Sequence, residues 1–131
     1  MASSLFSKIV AREIPAHIVA ENEHCLAFLD VFPLAEGHTL VVPKTEVDYL
    51  FDLDDDHYEE LMVFSRKVAK AIHAAVPCRK VGLSVVGLEV PHAHVHLIPL
   101  QTIGDMNFAK EKQRANDSQL AEVALRIQQY L

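Results

Sequence analysis

Three histidines alternate with apolar residues in the segment His92-Ala93-His94-Val95-His96-Leu97-Ile98. Residues two apart in a β-strand point to the same face, so His92, His94 and His96 are predicted to line one side of a strand. The apolar residues between them are predicted to pack on the other side. A single histidine in such a place is usually an ordinary solvent-facing residue. Three in strict alternation on an apolar strand indicate a site that uses the imidazoles.

Two kinds of chemistry suit this row of imidazoles, and the spacing leaves both open. The first is a metal site, because imidazole is a common zinc ligand and two histidines at i and i+2 can reach one ion. The second is nucleophilic catalysis, because a neutral imidazole attacks phosphorus well and its unperturbed pKa is near ~6.5. Neighbouring histidines can then donate or accept protons near neutral pH.

Composition limits the class of protein. The chain has 131 residues, 50% hydrophobic and 23% charged, which is typical of one globular domain. Its formal net charge of −6 disfavours binding to DNA or RNA but leaves room for one nucleotide in a local pocket. The two cysteines show no short redox or zinc spacing. With no secretory signal and no apolar run of ~20 residues, we expect a cytoplasmic protein without membrane contact.

Five strands are predicted from alternating or apolar runs bounded by turn residues. They cover residues 18–21, 25–31, 37–42, 80–86 and 93–100. The first two are expected to form a hairpin, and Pro43 ends the third because proline cannot donate to a ladder. In the second strand the acidic Asp30 continues the apolar face of Leu26 and Phe28. A carboxylate there is unusual for a core and suits the binding of a diol.

Helices are predicted before, between and after these strands. Apolar residues at helical spacing, after aspartates that suit a helix N-terminus, predict a long helix over residues 54–76, with Phe64 outside its main apolar stripe. A short amphipathic run covers residues 5–10, and a final helix is expected at 117–131. The order of these elements is that of an α+β protein.

The histidine row resembles the signature of the histidine triad family, in which histidines alternate with hydrophobic residues. Further segments match the family's order and spacing, at residues 5–10, 12–16, 27–30 and 38–44. The triad together with His38-Thr39-Leu40-Val41-Val42-Pro43-Lys44 is a specific combination. We therefore expect one histidine triad domain over residues 1–131, resembling the nucleoside phosphoramidase branch, with its core at about 5–100 and a C-terminal extension at 101–131.

The resemblance implies a fold and an assembly. The fold is an antiparallel five-stranded sheet with one long helix, a short N-terminal helix and a C-terminal helix. Two copies are expected to pair about a two-fold axis into a continuous sheet, with the long helix and the fourth strand at the seam. Independently of the resemblance, we expect the unpatterned stretch 101–116, which holds Met106 and Phe108, or the helix after it, to cross toward the partner's pocket and shape the choice of leaving group.

The resemblance also implies a role for each candidate site residue. His94 is the expected nucleophile, forming a transient nucleotidyl-histidine, and His96 is expected to contact the phosphate and help protonate the leaving group. His92 and His38 are expected to orient the others through hydrogen bonds. Asp30 is expected to accept hydrogen bonds from the ribose hydroxyls. The expected walls of the base site are Phe6, Ile9, Phe28 and Val31.

The implied function is hydrolysis at the α-phosphate of a purine nucleotide, such as an adenosine phosphoramidate, without a cofactor or metal. Two residues depart from the family pattern. Val81 stands where many members have asparagine, and Glu89 stands where many have serine or threonine beside the phosphate. Backbone amides near Gly87 and Glu89 are expected to take over that contact, since glycine permits a close approach.

Three functional hypotheses follow. The first is a metal-independent nucleotide hydrolase, because His96 can protonate a leaving group. The second is a nucleotide-binding regulatory dimer with little turnover, which the departures at Val81 and Glu89 favour. The third is a metal-dependent enzyme using the same histidines. Ser4 and Ser7 stand where some bacterial members carry zinc-binding cysteines, so no structural zinc is expected.

Overall fold

The computed structural model describes residues 3–131, in which five strands and three α-helices follow the predicted order. They are α1 (Leu5–Val10), β1 (Ile18–Glu21), β2 (Cys25–Leu29), β3 (Thr39–Pro43), α2 (Asp55–Ala75), β4 (Lys80–Ser84), β5 (Val95–Leu100) and α3 (Asp117–Gln128). The strands form one antiparallel sheet in the order β1-β2-β3-β5-β4. The predicted α+β class is confirmed. No helix within the described residues is long and apolar enough to cross a membrane.

The long helix α2 begins and packs as its sequence dictates, with one exception. Asp54 caps it by accepting the His57 amide N–H at 2.8 Å. Leu61 and Val68 are fully buried in the core, as the spacing predicts. The prediction that Phe64 lies outside the apolar stripe is wrong: Phe64 is buried too. It lies three residues after Leu61 and four before Val68, which places all three on one helical face.

The two faces of the sheet are covered differently. The helices α2 and α3 pack on one face, where Ala27 and Val41 join the larger core. The short helix α1 covers the other face with Phe6 and Ile9, which pack in a small apolar cluster. The other buried members of this cluster are Leu26, Phe28, Leu40 and Val42. Residues of β2 and β3 thus alternate between the faces, as strand geometry requires.

The prediction that the three histidines lie on one strand is wrong. β5 begins at Val95, so His96 is the member of the triad that the strand carries. The preceding backbone leaves the ladder, because the Ala93 amide donates to the carbonyl oxygen of Val47 at 2.7 Å. Ala93 and Val95 nevertheless pack in the core beneath α2, so the alternation of faces persists beyond the strand.

Other predicted strand ends shift by about two residues. β2 ends at Leu29, because Asp30 forms a turn in which its Oδ1 accepts the Phe32 amide N–H at 2.8 Å. β3 begins at Thr39 and includes Pro43. Gly37 has a positive φ of 94°, which no extended strand residue adopts. β4 and α3 end at residues 84 and 128, before the predicted 86 and 131.

Candidate active site

Four histidines form one cluster beside α1 and are nearly inaccessible to solvent. His92, His38, His94 and His96 expose 0%, 1%, 7% and 8% of their surface. The ring centroids of His94 and His96 are 4.9 Å apart, and those of His38 and His96 are 5.2 Å apart. The structure therefore brings all four predicted catalytic residues together. Buried imidazoles need hydrogen-bond partners, and those partners define where each proton lies.

The ring of His92 has one possible arrangement of its proton. Its Nε2 lies 2.7 Å from the carbonyl oxygen of Pro43, which can only accept, so Nε2 carries the hydrogen. Nδ1 must then accept, and the Ser4 hydroxyl donates to it at 2.8 Å. Burial is the main cause that lowers the pKa of His92, which favours this neutral form. His92 thus links the end of β3 to the start of α1.

A carboxylate fixes the start of α1 beside His92. Glu46 Oε1 accepts the Ser4 amide N–H at 2.6 Å and the Ser7 hydroxyl at 2.7 Å. These hydrogen bonds lower the pKa of Glu46 to about 2. Ser4 in turn caps α1 by accepting the Ser7 amide N–H at 3.0 Å. Sequence analysis missed Glu46, because nothing in its local pattern indicates a contact 42 residues away.

His94 is oriented by the backbone. Its Nδ1 lies 2.8 Å from the carbonyl oxygen of His92 and donates to it. In the neutral ring, the lone pair therefore lies on Nε2, on the opposite side of the imidazole. The Phe6 ring packs edge-on at a centroid distance of 4.8 Å. This arrangement can present a neutral nitrogen nucleophile.

His96 receives its proton arrangement from His38. The Leu34 amide N–H donates to His38 Nδ1 at 3.0 Å, so the hydrogen of neutral His38 lies on Nε2. His38 Nε2–H then donates to His96 Nδ1 at 3.0 Å, which leaves the His96 hydrogen on its own Nε2. Burial, helped by a neighbouring histidine in each case, lowers the pKa of His38 to about 3 and of His96 to about 4. Neutral His96 is thus a hydrogen-bond donor.

Asp30 lies at the edge of this cluster. Its amide N–H donates to the carbonyl oxygen of His38 at 2.9 Å, and its Oδ2 lies 3.6 Å from His38 Nε2. Its side chain is 17% exposed, and burial raises the pKa of the carboxyl group. Within residues 3–131, Oδ2 accepts no hydrogen bond, so it can receive one from a ligand hydroxyl.

The predicted base-site residues occupy two different places. Phe6, Ile9 and Phe28 lie together in the small cluster under α1, where the Phe6 and Phe28 rings are 5.6 Å apart. Val31 packs against the core on the other face of the sheet. Glu89 is exposed in the loop after β4. Nearby, Gly87 has a φ of 69°, and no heavy atom lies within 4 Å of where a Cβ would stand. The backbone is therefore accessible there.

The stretch after β5 also contributes to the cluster. The Phe108 ring lies 4.7 Å from the His96 ring, nearly edge-on. Phe108 thus contacts the site of its own chain, and the approach of this stretch or the following helix to a partner's pocket stays a prediction. The signal for a packing role was present in the sequence, since Met106 and Phe108 are large apolar residues in a polar stretch.

One group of atoms in the site has spacing that a metal ion could use. Ligand atoms of Asp30, His38 and His96 lie within 4.8 Å of one another. The hydrogen bonds argue against this use. The Leu34 amide needs a lone pair on His38 Nδ1, which places the hydrogen on the Nε2 that would bind the ion. A metal there requires the loss of a buried hydrogen bond, so the residues fit a proton network better.

The comparisons with known proteins agree with this architecture. Residues 11–103 match the model of the HIT (histidine triad) domain. The protein hit of Bacillus subtilis is 36% identical over 120 residues, covering 86% of this chain and 81% of the relative. A Hit-like protein from Bartonella henselae has a TM-score of 0.87 at 29% identity, covering 98% of this chain and 96% of that one. An antiparallel sheet with clustered histidines thus defines the class of fold and site.

The chain belongs to the histidine triad family. A relative from Saccharomyces cerevisiae is named adenosine 5′-monophosphoramidase and is 35% identical over 99 residues, 75% of this chain and 63% of the relative. The family therefore includes hydrolases.

Proposed function

We propose that this protein is a nucleotide hydrolase that cleaves a phosphorus–nitrogen or phosphoanhydride bond at the α-phosphate of a purine nucleotide. The observation that carries the proposal is the pair of fixed tautomers. His94 Nδ1–H donates to a backbone carbonyl, which leaves Nε2 as the nucleophile, and neutral His96 holds its hydrogen on Nε2. The yeast relative named as a phosphoramidase supports the same bond type.

The reaction needs two displacements at phosphorus. In the first, the lone pair of His94 Nε2 attacks the α-phosphorus and the bond to the leaving group breaks. The negative phosphate beside His96 favours its protonated form, in which Nδ1 also carries a hydrogen and gives up the hydrogen bond that it accepts from His38. The hydrogen on His96 Nε2 then passes to the leaving nitrogen or oxygen, which leaves a lone pair on Nε2. In the second, water attacks the nucleotidyl group on His94, and His96 takes the proton from that water. The products are a nucleoside monophosphate and the free leaving group.

The remaining site residues are proposed to bind the nucleotide. Asp30 Oδ2 is proposed to accept hydrogen bonds from the ribose hydroxyls. The base is proposed to contact the apolar surface around Phe6, Ile9 and Phe28, and not Val31, which packs against the larger core. The α-phosphate is proposed to contact the backbone amide of Glu89.

The proposal is tested by incubating the pure protein with adenosine 5′-phosphoramidate and measuring AMP release. Wild-type protein should release AMP, and His94→Ala should lose nearly all turnover while still binding AMP, because covalent catalysis fails without its nucleophile. A His94→Ala protein with most of its activity would overturn the mechanism. Wild-type protein that binds AMP without turnover would favour the regulatory hypothesis.

Metal independence is part of the same proposal. EDTA should leave the rate unchanged, because the proton arrangement of His38 opposes metal binding at Nε2. A rate that falls with EDTA and returns with zinc would favour the metal-dependent hypothesis.

We also propose that two copies form a symmetric dimer through α2 and β4. β4 is an edge strand of the sheet, and Leu83 on β4 and Val63 on α2 are exposed apolar residues. Light scattering should give twice the chain mass of 14.6 kDa. A single chain mass at micromolar concentration would contradict the dimer.

A further inference from the structure

A segment after β5 contacts the histidine cluster and is held at three points. The terminal methyl group of Met106 packs over Gly82 of β4. Phe108 packs on His96, and the amide N–H of Ala115 donates to the carbonyl oxygen of Val31 at 2.8 Å. We call residues 106–115 the strap. Phe108 therefore lies at His96, and the last residue of the strap, Ala115, is bound to the residue that follows Asp30.

Lys112 is a half-buried cation on the strap between Phe108 and Ala115. On the same strap, Arg114 pairs with Asp117 at 3.2 Å, whereas Lys110, like Lys112, forms no ion pair with the described residues. Among residues 3–131, no carboxylate lies within 4.0 Å of the Lys112 ammonium group. A half-buried ammonium without a counter-ion is a site at which an anionic ligand group can be bound.

The charge of Lys112 acts on groups of the histidine cluster. After the larger effects of burial and a neighbouring histidine, its positive charge helps to lower the pKa of His38 and His96. It also opposes the burial that raises the pKa of Asp30. The neighbouring Lys110 has no such effect on these groups and instead influences Asp105, outside the site. The two lysines of the strap thus differ in the groups whose pKa their charges affect.

The strap marks the leaving-group side of the site. His96 is the residue that protonates the leaving group under the proposed function, and Phe108 packs on its ring. A leaving group that departs past His96 would therefore leave beside the strap, which carries Lys112 four residues after Phe108. In a protein of net charge −6, an unpaired cation at this place favours binding of a negative group there.

We propose that Lys112 is a specificity-determining residue that binds a negatively charged leaving group, a phosphate attached to the α-phosphate of the nucleotide. This proposal rests on the proposed function and names its substrate class. Nucleotides with an anionic leaving group gain a contact to Lys112, whereas phosphoramidates with a neutral amine do not.

The test compares AMP with ADP, because ADP adds one phosphate at the leaving-group position. Binding is measured by calorimetry in a His94→Asn background, which prevents turnover. Lys112→Gln should weaken ADP by about tenfold, corresponding to ~1.4 kcal/mol, and AMP by less than about twofold. Lys110→Gln is the matched control and should change neither. Lys112→Arg keeps the positive charge and should retain most of the preference for ADP.

Two outcomes would overturn the assignment: Lys112→Gln weakening AMP and ADP equally, or leaving both unchanged. Failure of ADP to bind the His94→Asn protein would do the same. Thermal unfolding of each variant shows whether the strap has been disturbed. A wild-type protein that hydrolyses no nucleotide would count against the proposed function. The comparison of ADP and AMP binding would still test Lys112, because binding is measured without turnover.

Discussion

The hydrogen-bonded chains that end at His94 and at His96 hold their rings in different ways. His94 donates to a backbone carbonyl, and the chain behind it runs through His92 and Ser4 to the exposed Glu46. His96 accepts from the buried ring of His38, which is itself fixed by a buried amide. The proposed nucleophile thus depends on the backbone, whereas the proposed proton donor depends on one side chain. Substitutions in the hydrogen-bonded series that ends at His96 should therefore reduce catalysis more than substitutions in the series that ends at His94.

The strongest test of this comparison is His38→Phe. It removes the donor to His96 Nδ1, so the hydrogen of His96 is no longer confined to Nε2, the atom proposed to face the leaving group. We expect kcat to fall by about 100-fold or more, the range of a lost general acid–base contribution. Steady-state kinetics on an adenosine phosphoramidate measures the effect. If kcat fell no more than it does in Ser4→Ala, the proposed difference between the hydrogen-bonded series at His94 and at His96 would be wrong.

His38→Gln is the matched control, because its amide can both accept from Leu34 and donate to His96, and it should recover part of the lost rate. Stability against pH gives a second measurement. The pKa of His38 is lowered to about 3, so the folded protein resists its protonation. Its contribution to stability is therefore present above the unfolded pKa of ~6.5 and is lost as pH falls toward about 3. Denaturation between pH 7 and 4 should show a shallower loss in His38→Gln than in wild type.

The substitution Asp30→Asn tests whether the carboxylate beside His38 binds substrate or instead supports the hydrogen bond between His38 and His96. Its Oδ1 accepts the Phe32 amide, a bond that asparagine can keep, and its Oδ2 is 3.6 Å from His38 Nε2, too far for a good hydrogen bond. We expect AMP binding to weaken by ~1.5–3 kcal/mol, the value of a charged acceptor, with a much smaller loss for 2′-deoxy-AMP. Equal losses for the two sugars, seen by calorimetry, would assign Asp30 to the network.

The fold was predictable because its signals are local. Alternation at residues 92–98 and helical spacing in α2 identify the triad and the scaffold without any long-range information. What failed depends on distant partners. The Ala93 amide donates to the carbonyl oxygen of Val47 instead of a strand neighbour, and Glu46 accepts a hydrogen bond from the Ser4 amide, 42 residues away. Tautomers are likewise invisible in the sequence, because the Leu34 amide that fixes His38 is a backbone group.

The strap shows the same limit from another side. Its two apolar residues, Met106 and Phe108, indicate packing against other residues, and a partner's pocket is the destination predicted from the sequence. The structure places Phe108 on His96 of the same chain. Spacing within residues 101–116 could not distinguish these destinations, because both bury the same side chains.

The smallest effect is expected for Ser4→Ala, in the chain that ends at His94. The change removes the donor to His92 Nδ1 and the cap of α1, which should lower stability by about 1 kcal/mol. The bond from His94 Nδ1 to the carbonyl of His92 remains, so kcat should fall by only a few-fold. Ser4→Thr retains a hydroxyl group and should restore both stability and rate. Denaturation and kinetic measurements on Ser4→Ala and Ser4→Thr test this prediction. If Ser4→Ala reduced kcat as much as His38→Phe does, the hydrogen bond to the backbone would not be sufficient to orient His94.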